Sequence, residues 1–303
     1  MSAREISVLL GMCVIWGFHF IVIQLAVGQL PPMFYAAVRM TLVAAVLTPF
    51  LRWHRGQMHF VLPAGICLGT LNYAFMFSGL KFATASTAAI AMELTVPFAT
   101  ILAIIFLNDR IGLPRLLGIS IAFIGVAIIS FGGHEDASPG TNIPLGVTLV
   151  AMGAFVEACG TILVKKSSGF KPHELLAWFS LIGAGGLWLL TFALESDQVA
   201  AFQVSDKRCV LGAILYSAIG GSILGHSAYY WLLQRLPVST VAPSILLTTL
   251  IAVIAGVVIL GDPFGPRMVI GGLMVLAGVG TVLLRTSKKR DSKVPIPKAG
   301  ATP

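Results

Sequence analysis

The chain has 303 residues, of which 57% are apolar and 11% charged, with a mean hydropathy of +0.92 and a formal net charge of +8. A soluble domain carries about 25% charged residues, so this composition excludes a soluble globule. The charges sit in short breaks between apolar runs of about 20 residues, the length that crosses about 30 Å of hydrocarbon.

Ten spans are predicted, at 6–27, 32–51, 59–80, 84–107, 114–132, 143–164, 173–194, 209–233, 238–260 and 267–285. The first run, from Ile6, is longer than a signal-peptide core and lacks a small-residue cleavage site, so it is read as retained. The breaks carry turn chemistry: Pro31-Pro32, Gly112 to Pro114, Gly132-Gly133 with Pro139-Gly140, and Gly261-Asp262-Pro263. With the N-terminus in the cytoplasm, the inner segments hold fifteen Lys and Arg, among them Arg52, Arg55, Lys165, Lys166 and Arg235. The outer segments then hold four, Lys81, Lys207, Arg208 and Arg267. This bias predicts that both termini are cytoplasmic, and it accounts for the basic balance without nucleic acid. The basic tail 286–303 is expected to be disordered, with Lys288, Lys289 and Arg290 close to anionic lipid. Cys13, Cys67, Cys159 and Cys209 form no CxxC pair and read as small packing residues.

The chain repeats itself. A shift of 153 positions lays Leu80 on Leu233, Ser86-Thr87 on Ser239-Thr240, Asp109 on Asp262, Gly118 on Gly271 and Gly125-Val126 on Gly278-Val279. One copy covers spans three to five and the other spans eight to ten. An odd number of helices per half points the two copies in opposite directions. The expected fold class is therefore an all-α membrane protein, ten transmembrane helices in a 5+5 inverted-topology repeat. The halves run over 1–135 and 143–285. Flipped halves give two near-equivalent conformations open to opposite sides, which is the basis of alternating access to a site near the midplane.

Several motifs carry a family likeness. Val14-Ile15-Trp16-Gly17, then Phe20 to Ile23, then Leu30-Pro31-Pro32 with Arg39, resembles the EamA family of the drug/metabolite transporter superfamily. Ala158-Cys159-Gly160 leading to Lys165-Lys166, and Val241-Ala242-Pro243 followed by Leu260-Gly261-Asp262, are similar to its second half. The likeness covers nearly the whole chain. It implies ten helices, a central cavity, and export of amino acids or related metabolites across the bacterial inner membrane, often in exchange for protons. The chain departs from the pattern at Asp109 and Asp262, where a Glu is common, and at Glu157, where a neutral residue is usual.

Charges within spans cost about 3 kcal/mol or more at the bilayer centre, so each needs a partner or a wet cavity. There are three, Arg39, Glu93 and Glu157. Arg39 falls about 12 Å below the end of its helix, and Glu93 reaches nearly the same depth. His19, Asn72 and Tyr73 come to a similar level. Together with Trp16, singled out by the family motif, these form the candidate substrate-binding set: Trp16, His19, Arg39, Asn72, Tyr73 and Glu93. The planar fork of Arg39 suits a carboxylate or phosphate, and Glu93 suits a proton or an ammonium group. The alternative is an Arg39–Glu93 ion pair that serves packing alone. Pro97 frees backbone carbonyls near Glu93 and suggests a cavity wall. Glu157 and His226 are candidates for proton coupling, because a desolvated Glu and a His both titrate near neutrality.

Phe75, Phe77, Tyr229, Tyr230 and Trp231 could line an apolar cavity or face lipid. Ser239, Thr240, Ser244, Thr248 and Thr249 read as helix glue. Gly118 and Gly125, with Gly271 and Gly278, place small residues on one helix face, for packing within the chain or a seam between two copies. His173-Glu174 starts like a zinc-protease motif but lacks the second His, and no Walker lysine motif occurs. No cofactor or metal is expected. The rival readings are a carrier of cationic drugs or of phosphorylated metabolites and, less favoured, an intramembrane enzyme.

Overall fold

The computed structural model describes residues 1–107, 111–131, 142–196, 198, 207–233, 235–236, 241 and 243–291, with side chains except at 230 and 285–291. Every described element is helical. The helices are α1 (Ala3–Val27), α2 (Pro32–Phe50), α3 (Met58–Leu80), α4 (Ala85–Leu107), α5 (Leu113–Phe131), α6 (Ile143–Lys166), α7 (Pro172–Leu194), α8 (Lys207–Leu233), α9 (Ser244–Leu260) and α10 (Pro266–Asp291). Nine are long and apolar enough to cross a bilayer, and α9 is a shorter apolar helix. The expected spans match these within a few residues, except that α9 begins at Ser244 where a span from 238 was expected, and α10 runs on through Asp291 where a disordered tail was expected from position 286. The rest of that tail, and Asp109, Ser239 and Thr240, lie outside the described residues.

Local chemistry sets the helix ends. Ser2 and Glu5 form a capping box on α1. Asn142 caps α6 through the N–H of Leu145. At α2, Pro31 and Pro32 have no N–H, and the donors that follow are taken from across the fold. Glu195, just past the end of α7, accepts from Met33 N at 2.9 Å and Phe34 N at 3.0 Å. At the other end of the same helix pair, Glu174 meets His54 at 3.2 Å and Arg52 at 3.8 Å. The residues that resembled half a zinc motif thus include a tie between α7 and the turn after α2. Among the described residues no group of three or more metal-ligating side chains occurs.

The helix packing has the symmetry of the repeat. α2 packs on α7 and α5 on α10, each with its own mate in the other half. α3 and α4 pack on α6, while their mates α8 and α9 pack on α1. The glycines repeat this exchange at atomic scale. A Cβ on Gly118 would stand 2.7 Å from the Gly278 carbonyl oxygen, and one on Gly125 2.6 Å from that of Gly271. Exchanging the halves maps each contact onto the other. The glycine stripe is therefore filled within the chain, where it brings two backbones together.

Two interruptions place functional side chains. Pro97 cannot donate to the carbonyl of Glu93 four residues earlier, and its ring crowds that oxygen. The Glu93 carbonyl is taken by Val96 N at 3.1 Å instead, and α4 tightens into a turn at Glu93 and Leu94. α3 and α8 each contain a π-helical stretch, Ile66–Leu71 and Tyr216–Leu224, at overlapping positions of the repeat. Such stretches widen the helix and move carbonyls off the ordinary ladder.

Candidate functional site

The π-helical stretch of α8 is where several helices converge. Its first and middle carbonyls accept side-chain donors from two other helices. Arg39 Nε, on α2, donates to Ser217 O at 3.2 Å, and Trp16 Nε1, on α1, to Gly221 O at 3.0 Å. Tyr35 donates to Ala213 O at 3.0 Å and also bonds Ser217 Oγ. His226 sets its Nδ1 2.9 Å from Ser222 O and its ring edge against Trp16, with centroids 5.3 Å apart.

Arg39 is 1% exposed. Beyond Ser217, its Nη2 donates to Ser222 Oγ at 2.8 Å. The guanidinium lies over Tyr73 at 4.6 Å and Phe77 at 5.7 Å, a cation–π arrangement supplied by α3. Its Nη1 is buried with no hydrogen-bond partner among the described residues. His19, 8% exposed, also has an unpartnered atom, Nε2, and its ring lies on Gly221. Glu93 is 4% exposed; Thr249 on α9 donates to its Oε1, while Oε2 has no partner. Arg39 and Glu93 are thus not ion-paired: the first faces α8 and the second α9. The packing-only alternative for the pair does not occur.

Asn72 belongs to a different contact from the one the expected polar layer implied. It donates to Gly153 O at 3.1 Å and to Glu157 Oε2 at 3.3 Å, both on α6. Glu93 on α4 and Glu157 on α6 stand on helices that pack against each other. Here the repeat diverges in an orderly way. Asn72 corresponds to Gly225 at the offset of 153, and Glu157 falls near Trp16 when the halves are laid together. Where α3 meets α6, an amide meets a carboxylate. Where α8 meets α1, an indole fills the space of a missing side chain, since a Cβ on Gly225 would overlap Trp16 Nε1.

Of the aromatic candidates, Phe77 is buried against Tyr35, with ring centroids 5.6 Å apart, and Tyr229 lies 5.6 Å from Trp16. Trp231 lies instead between Arg4 at 5.4 Å and Arg235 at 4.1 Å, at the end of the bundle that carries the N-terminus. The Tyr230 side chain is outside the described residues. Thr249 bonds Glu93 across the α4–α9 contact, the interhelical bond expected of it. Ser217 and Ser222 were not singled out. Their signal was present in the repeat, where the corresponding positions are Ala64 and Gly69, so both hydroxyls were added to one half only. At the end opposite the N-terminus a cavity of ≈ 370 Å³ opens between the α1–α2 turn, Lys81 and Glu195.

Ten apolar helices, a flipped repeat and buried charges gathered where the halves meet define a polytopic membrane transporter. The EamA-like transporter family matches residues 3–131 and again 144–284, and the chain belongs to that family. It is 27% identical to a "Probable amino-acid metabolite efflux pump" of Salmonella typhimurium, over 97% of this chain and 99% of the other. It is 25% identical to a "Probable terminal-alkyne amino-acid exporter" of Streptantibioticus cattleyicolor, over 70% and 68%. A solved crystal structure covering 96% of this chain and 100% of its own superposes with a TM-score of 0.60 at 16% identity, a likeness of fold. The protein is a multi-pass membrane transporter of a small molecule, not an enzyme.

Proposed function

We propose that this protein is a secondary-active exporter of amino acids or closely related metabolites, working by alternating access in a bacterial inner membrane with both termini cytoplasmic. The halves 1–135 and 143–285 would rock against each other around the site. Four buried side-chain atoms have no partner among the described residues, and three of them carry this reading, Arg39 Nη1, His19 Nε2 and Glu93 Oε2; the fourth is Gln24 Oε1. A buried polar group without a partner costs about 1–3 kcal/mol, and more if charged, so three together mark a site meant for a ligand. Trp16, Asn72 and Tyr73 complete the binding set, and Glu157 with His226 supplies a route for exchange with protons. The names of the relatives support the substrate class.

The test is counterflow in liposomes holding pure protein and an equimolar mixture of the twenty L-amino acids, with each labelled in turn outside. Accumulation of at least one label supports the reading; none, with folded protein, overturns it. A carrier of cationic drugs is the second reading, favoured by two carboxylates, Glu93 and Glu157, on helices that pack against each other. It predicts counterflow of a lipophilic cation such as tetraphenylphosphonium and none of any amino acid.

A further inference from the structure

We propose that Arg39 and His19 together form the receptor for a single carboxylate group, so that the transported molecules must carry a free carboxylate. This deepens the exporter reading and rests on it for the word "transported"; the anion site itself does not.

The guanidinium is fixed on every side but one. Ser217 O holds Nε, Ser222 Oγ holds Nη2, and Tyr73 and Phe77 cover its face. None of these carries a negative charge. An uncompensated charge inside a bilayer protein is expensive, and a cation this deeply enclosed is normally matched by an anion. The one remaining nitrogen, Nη1, has no partner among the described residues.

His19 is brought to the same place by α8. Its ring stacks on Gly221, where a Cβ would stand 3.1–3.3 Å from ring atoms. The next residue is Ser222, which holds Arg39. Two residues of one turn therefore seat both groups, and a side chain at 221 would push the imidazole away. With its proton on Nε2, His19 offers a second donor that has no partner among the described residues.

Two donors and one positive charge fit the two oxygens and one negative charge of a carboxylate. A phosphate monoester brings up to two charges and three terminal oxygens, and finds too few donors here. The remainder of an amino acid would extend from this anchor, but the anchor reads only the acid.

Two measurements test this. The first uses the amino acid carried fastest in the counterflow assay, with its carboxamide and its aminophosphonate analogue as competitors. The carboxamide should compete at least about 50-fold more weakly. His19→Leu should raise KM about tenfold with turnover little changed, the loss of one charge-assisted hydrogen bond, and His19→Gln, whose side-chain amide N–H still donates, should recover part of it. Arg39→Lys, which keeps the charge and loses the fork, should also raise KM. Equal competition by the carboxamide, preference for the phosphonate, or an unchanged KM in His19→Leu overturns the proposal. The second needs no transport. Propionate at 50 mM should raise the melting temperature of purified protein in detergent more than propionamide does, and His19→Leu should shrink the difference. No difference in the parent protein overturns the carboxylate site. Propionate stabilisation without flux of any amino acid overturns only the exporter reading.

Discussion

Asp262 accepts the backbone N–H of Ser86 at 2.9 Å, tying the turn between α9 and α10 to the first turn of α4 in the other half of the molecule. Asp262 is buried, and Gly256 lies against both partners with no side chain to intervene. The carboxylate supplements the local cap, in which Thr87 N donates to Thr84 Oγ1, and meets the positive end of the helix dipole. Asp262→Ala should cost about 1–2 kcal/mol, as other cap deletions do, and Asp262→Asn distinctly less. Thermal melting in detergent would check both.

The α5–α10 seam predicts intolerance of a single methyl group. A Cβ on Gly271 would stand 2.6 Å from the Gly125 carbonyl oxygen, a backbone atom that cannot swing away. Gly271→Ala should destabilise by about 1–3 kcal/mol, the usual range for overpacking. The same change at Gly212, where a Cβ meets nothing within 4 Å, should leave melting nearly unchanged. Similar melting for the two variants would show that the helices separate readily.

Trp16 and Gly225 are fitted to each other. Gly225→Ala should displace the indole, break its bond to Gly221 O and weaken transport severalfold. Trp16→Phe is smaller and lacks the colliding nitrogen. The double variant should recover part of what Gly225→Ala loses, giving a coupling of about 0.5–3 kcal/mol in a mutant cycle of KM values. Strict additivity would mean that the two residues act apart.

Glu157 is held by Asn72 and stands on α6, which packs against α4 and its Glu93. If it carries the exchanged proton, Glu157→Gln should abolish uptake driven by a pH gradient into inside-out vesicles, yet leave substrate counterflow within a few-fold. The hydrogen bond from Asn72 survives that change, since the amide oxygen still accepts. Gradient-driven uptake that persists in Glu157→Gln would remove the relay.

The span ends were readable because each depends on residues nearby: Pro31-Pro32, Gly112, Gly261. The break in α4 was readable for the same reason, since Pro97 acts on the carbonyl four residues before it. Partners were not readable in this way. Glu195 capping α2 crosses more than 160 positions, and no local pattern announces it. Arg39 and Glu93 share a depth, which suggested a pair, but depth says nothing of helix rotation. Rotation turns one to α8 and the other to α9.

Length, hydropathy and the shift of 153 positions by themselves determined the number of helices, the flipped repeat and the identity of the three charges inside it. These follow from the hydrocarbon thickness and from chain periodicity, which act on any segment separately. Only the tertiary structure decided which faces meet. It set Asn72 against Glu157, closed the glycine stripe within one chain, laid His19 on Gly221 and bonded Arg39 to Ser217 and Ser222 with no ion pair to it among the described residues. Such choices depend on close packing among helices remote in sequence, where one missing Cβ, as at Gly221 or Gly225, decides which side chain occupies the space.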